Sequence, residues 1–452
     1  MRNGALAAGR LPVVAIVGRP NVGKSTLFNR LTGSRKAIVG DRPGVTVDRL
    51  ESACSLGQKR CMLVDTGGIG EPAHDAMQPA IDAQVEAALE VADLVLFVVD
   101  AQAGLTPIDR DLADRLRRQN LPVVLVANKA EREELAYDFY PLGLGEPMPV
   151  SAIHGQGVRG LREHVAKLLP ESRDDQESME EPLASIAVVG RPNVGKSTLI
   201  NAWLGQERMV VSPIAGTTRD AIDTLLPYGE GMVRLVDTAG QRRHARIKDV
   251  IEFVARVKAV QAFRRADAAV MVLDGSEGIA EQDLRLMHLA LEEGCALIVA
   301  VNKLDLLDED QWRHFADRLD FRMRGMSDIA VFRISAARHK GIKRLLREAV
   351  RAARRNHFEV GTGELNRWLQ SAQQAQHPPT VDGLPVKIKY ASQVATAPPT
   401  LKMFCNRPKA IRESYRRYLE HSFRRAFDLP GVPVRLIFSA SRNPYVDKER
   451  RR

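Results

Sequence analysis

The chain has 452 residues, 44% hydrophobic and 5% aromatic, which suits about three domains of ~150 residues and excludes disorder throughout. No apolar run approaches the about 18 residues of a membrane span, and Met1 to Leu11 offers two arginines but no apolar core for a signal peptide. The formal charge of +10 is uneven: residues 351–452 hold 20 Lys+Arg against 8 Asp+Glu, which implies a separate basic module with an anionic partner.

The first predicted strand, Val13 to Val17, runs into Gly18-Arg19-Pro20-Asn21-Val22-Gly23-Lys24-Ser25-Thr26, and helix-forming residues follow. This is the strand, G-x-x-x-x-G-K-[ST] loop and helix of a phosphate-binding P-loop. Its glycines let backbone N–H groups turn inward, the helix N-terminus adds partial positive charge, and Lys24 supplies a full one. A strand over Cys61 to Val64 then leads to Asp65-Thr66-Gly67-Gly68, with the Asp placed to reach Mg²⁺ and the last Gly free to meet a γ-phosphate. Helix-like residues Pro79 to Val91 and strands Leu94 to Val99 and Pro122 to Ala127 come next, then Asn128-Lys129-Ala130-Glu131 and Ser151-Ala152. Strands alternating with helices predict a parallel sheet covered on both faces. Cys54, Cys61, Cys295 and Cys405 form no C-x-x-C, which argues against zinc and for inert thiols in a reducing compartment.

After an acidic stretch, Pro170 to Pro182, the pattern repeats. A strand over Ile186 to Val189 enters Gly190-Arg191-Pro192-Asn193-Val194-Gly195-Lys196-Ser197-Thr198, 172 residues beyond the first loop. Thr46 and Thr218, Asp48 and Asp220, and Asp65 and Asp237 keep the same offset, so the second half copies the first. Asp237-Thr238-Ala239-Gly240 follows, and the strand Ala296 to Val301 ends in Asn302-Lys303-Leu304-Asp305. There the Asp can accept paired hydrogen bonds from the guanine N1–H and exocyclic amine, which adenine cannot offer; a site so built discriminates by roughly 10⁴-fold. Ser335-Ala336-Ala337 then brings its backbone to the O6 of the base. The ordered set predicts a GTPase rather than an ATPase or a small-molecule kinase.

Beyond about Arg355 the P-loop does not recur. A helix over Thr362 to Gln376, strands over Leu384 to Tyr390, Thr400 to Cys405 and Val432 to Phe438, and a basic helix over Lys409 to Phe427 predict a small α+β domain. The basic helix interleaves Lys409, Arg412, Arg416, Arg417, Arg424 and Arg425 with Tyr415, Tyr418, Phe423 and Phe427. Helical spacing of Ile411, Tyr415, Tyr418 and Leu419 assigns the aromatics to a buried face, leaving phosphate contact to the charges. No G-x-x-G loop of a base-clamping KH domain occurs between Thr362 and Phe438.

These motifs, doubled and followed by a small basic domain, resemble the EngA (Der) family of bacterial GTPases; Ala397-Pro398-Pro399-Thr400 and Arg442-Asn443-Pro444-Tyr445 also look like that family's third domain. The resemblance covers about Leu11 to Tyr445. It implies an α/β fold with two tandem P-loop GTPase domains, each a mostly parallel sheet with helices on both faces, and then an α+β KH-like domain. The expected boundaries are 11–169 for the first G domain, 170–182 for the linker, 183–355 for the second G domain, 356–440 for the KH-like domain and 441–452 for a basic tail. It further implies a cytoplasmic, monomeric protein that hydrolyses GTP and acts in assembly of the large (50S) ribosomal subunit, touching rRNA through its basic C-terminal domain. The alternative is an RNA- or ribosome-binding scaffold with only incidental hydrolysis. By the same resemblance Ser25 and Ser197 hold Mg²⁺ directly, Thr46 and Thr218 join when GTP orders the first switch, and Asp65 and Asp237 hold it through water. Asn21 and Asn193 match the asparagine that coordinates K⁺ in potassium-activated relatives, where the cation supplies charge to the transition state; as plain turn residues they would need no such role.

Three positions depart from equivalence. Glu131 stands where the guanine-reading Asp is expected, one methylene or about 1.5 Å longer. Val47 occupies the place of Arg219. Ile69 follows the first D-x-x-G, whereas Gln241 follows the second, where some GTPases orient the attacking water; as an alternative, Gln241 opens the exposed basic run Arg242-Arg243-His244. The two sites are expected to be unequal.

Overall fold

A computed structural model describes residues 11–33, 51–67, 85–119, 121–169, 182–206, 223–236, 248–324, 326, 328–381 and 384–440. They group into two compact units, residues 1–178 with 242–261 and residues 179–241 with 262–452.

The first unit is built on β1 (Val13–Val17), α1 (Lys24–Thr32), β2 (Glu51–Leu56), β3 (Lys59–Asp65), β4 (Leu94–Asp100), α2 (Pro107–Arg117), β5 (Val123–Asn128), β6 (Met148–Val150) and α3 (Val158–Leu168). The sheet order is β2-β3-β1-β4-β5-β6, and every pairing except β2 with β3 is parallel. All seven residues of β4 are buried, as befits a central strand covered on both faces. Of the helix expected over 79–91, residues 85–91 are described and helical. The sequence pattern missed β2, because Glu51–Leu56 is a half-exposed edge with no apolar run.

The second unit repeats this plan with β7 (Ala184–Val189), α4 (Lys196–Gln206), β8 (Thr224–Tyr228), β9 (Gly231–Val236), β10 (Ala268–Asp274), α6 (Glu281–Glu293), β11 (Ala296–Asn302), α7 (Glu309–Arg322), β12 (Ala330–Arg333) and α8 (Ile342–Asn356); α5 (Lys248–Phe263) lies between β9 and β10 in the chain. Its order, β12-β11-β10-β7-β9-β8, matches that of the first sheet strand for strand. In both sheets the chain reverses its direction of build between the strand before the phosphate loop and its neighbours, the place where open α/β sheets take ligands.

The same unit holds α9 (Thr362–Ala375), β13 (Thr380–Val381), β14 (Leu384–Pro385), β15 (Ile388–Thr396), β16 (Pro399–Cys405), α10 (Glu413–Ala426) and β17 (Arg435–Ala440). β15, β16 and β17 form a three-stranded sheet, antiparallel then parallel. Two expectations need correction here. The strand expected over 384–390 is split: Leu384–Pro385 pairs with Thr380–Val381 in a short hairpin, and the main strand begins at Ile388 and runs to Thr396. The basic helix starts at Glu413 rather than Lys409, because Pro408–Ala410 forms a 3₁₀ turn and Ile411 and Arg412 are extended. As expected from spacing, Tyr415, Leu419 and Phe423 of α10 face the core. Phe423 is fully buried with its ring 5.0 Å from Trp368 and 4.6 Å from Phe427.

One hydrophobic core runs from the β10–β11 region through α8 into α9, α10 and the small sheet. Gly431 shows how closely its parts approach: its φ is +70°, and a Cβ there would lie 2.4 Å from the Leu297 carbonyl oxygen. Its own carbonyl accepts the Leu297 N–H at 2.9 Å. Phe423→Ala is expected to cost this unit about 3–5 kcal/mol, read as a lower urea midpoint by tryptophan fluorescence, with GTP binding to the first unit retained.

Candidate functional site

Each phosphate loop leaves the C-terminal end of a central strand. In the first, Asn21 and Gly23 adopt left-handed φ of 66° and 92° before α1 begins at Lys24, and no side chain caps that helix. Its first N–H groups are therefore available to an anion. Lys24 is 6% exposed and curls back so that Nζ donates to Gly18 O at 2.7 Å and Arg19 O at 2.9 Å. Lys196 makes the same bonds to Gly190 O and Arg191 O at 2.8 and 2.6 Å. Burial pulls both ammonium groups down to about 8; the Asp65 charge partly offsets it for Lys24 and the Asp283 charge for Lys196. Ser25 Oγ donates to Asp65 Oδ2 at 2.7 Å, while Gly67 N donates to Asp65 Oδ1 and Thr66 Oγ1 to Ile16 O. Thr46, Gly68, Ile69, Thr218, Asp237, Thr238, Ala239, Gly240 and Gln241 lie outside the described residues, as do Val47, Arg219 and the 442–445 element.

An asparagine joins each phosphate loop to its base loop. Asn128 Nδ2 donates to Val22 O at 2.8 Å, and Asn128 Oδ1 accepts from Ala152 N at 3.0 Å. Asn302 does the same with Val194 O and Ala336 N, both at 2.9 Å. This approach explains the glycine before each lysine: a Cβ on Gly23 or Gly195 would meet the asparagine Nδ2 at 2.4 or 2.3 Å. Lys129 and Lys303 both take left-handed φ, and pair with Asp100 at 2.6 Å and Asp274 at 2.5 Å. Burial works against Asp274, yet its bonds to Lys303 and Ser276 win and hold the carboxyl below its usual range. In the first unit a cleft of about 110 Å³ is lined by Gly23, Thr26, Asn128, Lys129, Glu131, Ser151 and Ala152. The phosphate-loop and base-loop residues expected from the sequence lie together here. The strand ends Asp100 and Asp274 border the base loops through Lys129 and Lys303.

The two sites differ where a base would sit. Asp305 is aligned by Ser335 Oγ at 2.5 Å, and that bond, with Arg338 nearby, keeps its carboxyl below the usual range. Glu131 reaches instead to the exposed Gln102 amide at 3.5 Å, while Ser151 Oγ accepts from His154 N. They differ again behind the phosphate loop. Arg191 Nε contacts both oxygens of the fully buried Asp283 at 3.0–3.1 Å, and the same guanidinium reaches Glu277 and Gly278 O. In the first unit Arg19 stands 3.5 Å from the equivalent Asp109, and two of its nitrogens are buried with no hydrogen-bond partner among the described residues. Ala103 occupies the place of Glu277. The sequence reading missed this pair. Its signal was the 174-residue offset between Asp109 and Asp283, each closing a helix-capping turn.

In the C-terminal domain the aromatics of α10 are used internally. Tyr415 and Tyr418 donate to Gln376 O and Ala372 O at 3.0 and 2.8 Å, and burial pushes the Tyr415 phenol up to about 12. Arg417 and Arg425 stay on the helix surface, whereas Arg424 is half-buried.

Because a phosphate meets the ammonium form of Lys24 and Lys196, binding should restore the proton that burial disfavours. Nucleotide affinity is then expected to fall as pH rises through about 8, with proton uptake on binding at about pH 8.5; calorimetry in two buffers of different ionisation enthalpy measures it. In a Lys196→Ala background, Glu131→Asp is expected to raise the preference of the first site for GTP over ATP about tenfold or more, measured by displacement of a fluorescent GDP.

Comparison with known proteins adds the family. A model described as 50S ribosome-binding GTPase matches residues 13–129 and 185–303, and one described as the KH-domain-like C-terminal domain of EngA bacterial GTPase enzymes matches 359–439. GTPase Der of Rhizobium meliloti is 43% identical over 97% of this chain and 99% of its own length, and GTPase Der of Moorella thermoacetica 43% over 95% and 99%. Among solved structures, Era of Aquifex aeolicus is 19% identical over 58% of this chain and 94% of that one, with a TM-score of 0.30. GTPase domains of this kind bind GTP, typically with Mg²⁺. No helix among the described residues is long and apolar enough to cross a membrane. With both GTPase repeats and the C-terminal domain matched along nearly its whole length, the chain belongs to the GTPase Der family and is a GTP-hydrolysing enzyme.

Proposed function

We propose that this chain is a cytoplasmic, monomeric GTP switch acting in maturation of the large (50S) ribosomal subunit, and that it meets rRNA through its C-terminal domain. The observation that carries the reading is the doubled geometry: two phosphate loops, each tied by an asparagine to its own base loop, in one chain with a basic third domain. Residues 356–440 hold 12 Lys+Arg against 6 Asp+Glu. The matching family description, 50S ribosome-binding GTPase, supports the partner. Four free thiols, with Cys54 and Cys61 only 3.6 Å apart, support a reducing compartment.

In this reading the loop N–H groups with Lys24 and Lys196 hold the β- and γ-phosphates so that water attacks in line and GDP and phosphate leave. Ser25 and Asp65, already side by side, suit Mg²⁺, which needs only one or two protein oxygens beside the phosphates; Ser197, Thr46, Thr218 and Asp237 complete the two sets. Mg²⁺ neutralises charge developing on the phosphates when bound. Asn21 and Asn193 would supply amide oxygens to K⁺. Asp305 reads guanine N1–H and the amine, Ala336 and Ala152 meet O6, and Glu131 does the reading in the first site with less alignment. The bound base is thereby placed by the same asparagine that shapes the phosphate loop.

Steady-state phosphate release is expected to rise about tenfold or more when K⁺ replaces Na⁺, and equal rates would remove Asn21 and Asn193 from cation binding. The same assay on Gln241→Ala decides the role of that residue: an unchanged rate makes it a surface group. Sedimentation with ribosomal subunits is expected to show GTP-dependent, salt-sensitive binding to the large subunit, lost in Lys24→Ala or Lys196→Ala according to which site governs docking. Binding equal under GTP and GDP would overturn the switch.

A further inference from the structure

The sheet of β15, β16 and β17 has one face packed on helices and one face open. Leu401, Met403 and Cys405 are buried in the core, and the residues between them come up on the other side. There Phe404 pairs with Tyr390 on one side and Ser439 on the other, and Lys402 with Ser392 and Ile437. Tyr390 is 46% exposed and lies flat on Phe404, with centroids 4.4 Å apart and planes at 16°. Lys402 Nζ stands 5.4 Å from the Phe404 centroid.

A bulge makes this surface. The register shifts between Ile388 and Tyr390, so Lys389 and Tyr390 are both exposed between the buried Ile388 and Ala391. Strict alternation would have buried one of them. Lys389 also lines, with Lys387, an adjoining groove against α9. The three strands contain Lys389, Lys402 and Arg435 and no Asp or Glu.

We propose that this open face is a stacking platform for unpaired bases of single-stranded RNA. Tyr390 and Phe404 take base faces, and Lys387, Lys389 and Lys402 take the neighbouring phosphates. The chemistry selects this occupant over the others. Lysine is depleted at the centres of protein–protein interfaces, whereas aromatic faces beside cations are what single-stranded nucleic acid uses. Paired bases are stacked within their own helix and offer no face to Tyr390. The inference rests on the reading that the C-terminal domain meets rRNA, and it moves base contact from the basic helix, whose aromatics are internal, to the sheet.

The test uses the full chain, fluorescein-labelled oligouridylate and oligoadenylate of about 12 nucleotides, and an RNA duplex of equal length, followed by anisotropy. Tyr390→Ala is expected to weaken single-strand binding about tenfold or more and Tyr390→Phe to restore it, both with GTP turnover at the wild-type level. Lys402→Ala is expected to lower the slope of log affinity against log salt by about 0.7. If Tyr390→Ala binds like wild type while Lys402→Ala does not, contact is to phosphates alone and the platform is overturned. A photo-crosslinker at position 390 that labels ribosomal protein rather than RNA in large subunits overturns it too, as does equal affinity for the duplex. Wild-type RNA binding insensitive to Tyr390→Ala leaves the rRNA reading standing, whereas a chain that binds neither oligonucleotides nor large subunits overturns both.

Discussion

The hydrogen bonds of Asn128 and Asn302 are the constraint around which each nucleotide pocket is arranged. One side-chain amide ties the phosphate loop, through Val22 or Val194, to the loop after the last parallel strand, through Ala152 or Ala336. These groups are buried, so an unmade bond would cost the full desolvation of a polar atom. The bond also dictates its neighbours. Only glycine leaves room for the amide before Lys24 or Lys196, and the left-handed backbone at Lys129 and Lys303 turns the chain from the asparagine toward the base side. Phosphate and base recognition thus share one rigid part.

On this common plan the two sites are tuned differently. The second carries a carboxylate, Asp305, already aligned by Ser335 and a phosphate loop whose arginine is engaged by Asp283, Glu277 and Gly278. Asp283 is held with burial raising its carboxyl against the Arg191 bonds that lower it. The first has a longer carboxylate facing Gln102, and an arginine 3.5 Å from Asp109 with two nitrogens that lack a hydrogen bond among the described residues. Geometry and hydrogen bonds decide what a buried ion pair contributes, and the second loop's arginine contacts both oxygens of its aspartate.

Within the second unit, the phosphate-loop sheet and the C-terminal elements share one core. The carboxyl end of α6 is where the two meet: Asn356 Nδ2 donates to Gly294 O, and Arg435 to Glu292 O. The amino end of the same helix carries Asp283, the partner of Arg191. One helix therefore has the second phosphate loop at one end and the C-terminal domain at the other. α2, its counterpart in the first unit, begins with Asp109 in the same capping turn.

Much of the pocket was legible in the sequence because its motifs are local. A phosphate loop needs consecutive glycines and a lysine, and a base loop needs Asn-Lys at a strand end, so Gly18 to Thr26, Asn128 to Glu131, Asn302 to Asp305 and their offsets announced both sites and the doubly covered sheets. Hydrophobic runs located the buried strands but not β2, which is half exposed, nor the start of the basic helix, which a proline turn postpones to Glu413. Contacts between residues far apart in the chain left no such mark. The Arg191–Asp283 pair spans 92 residues, and the alignment of Asp305 by Ser335 spans 30. The open Tyr390–Phe404 face depends on a one-residue bulge that no periodicity records. Composition and local spacing determined what chemistry the chain carries; which side chains are aligned, buried or presented was decided by packing, because hydrogen-bond geometry and exposure exist only once distant segments are brought together.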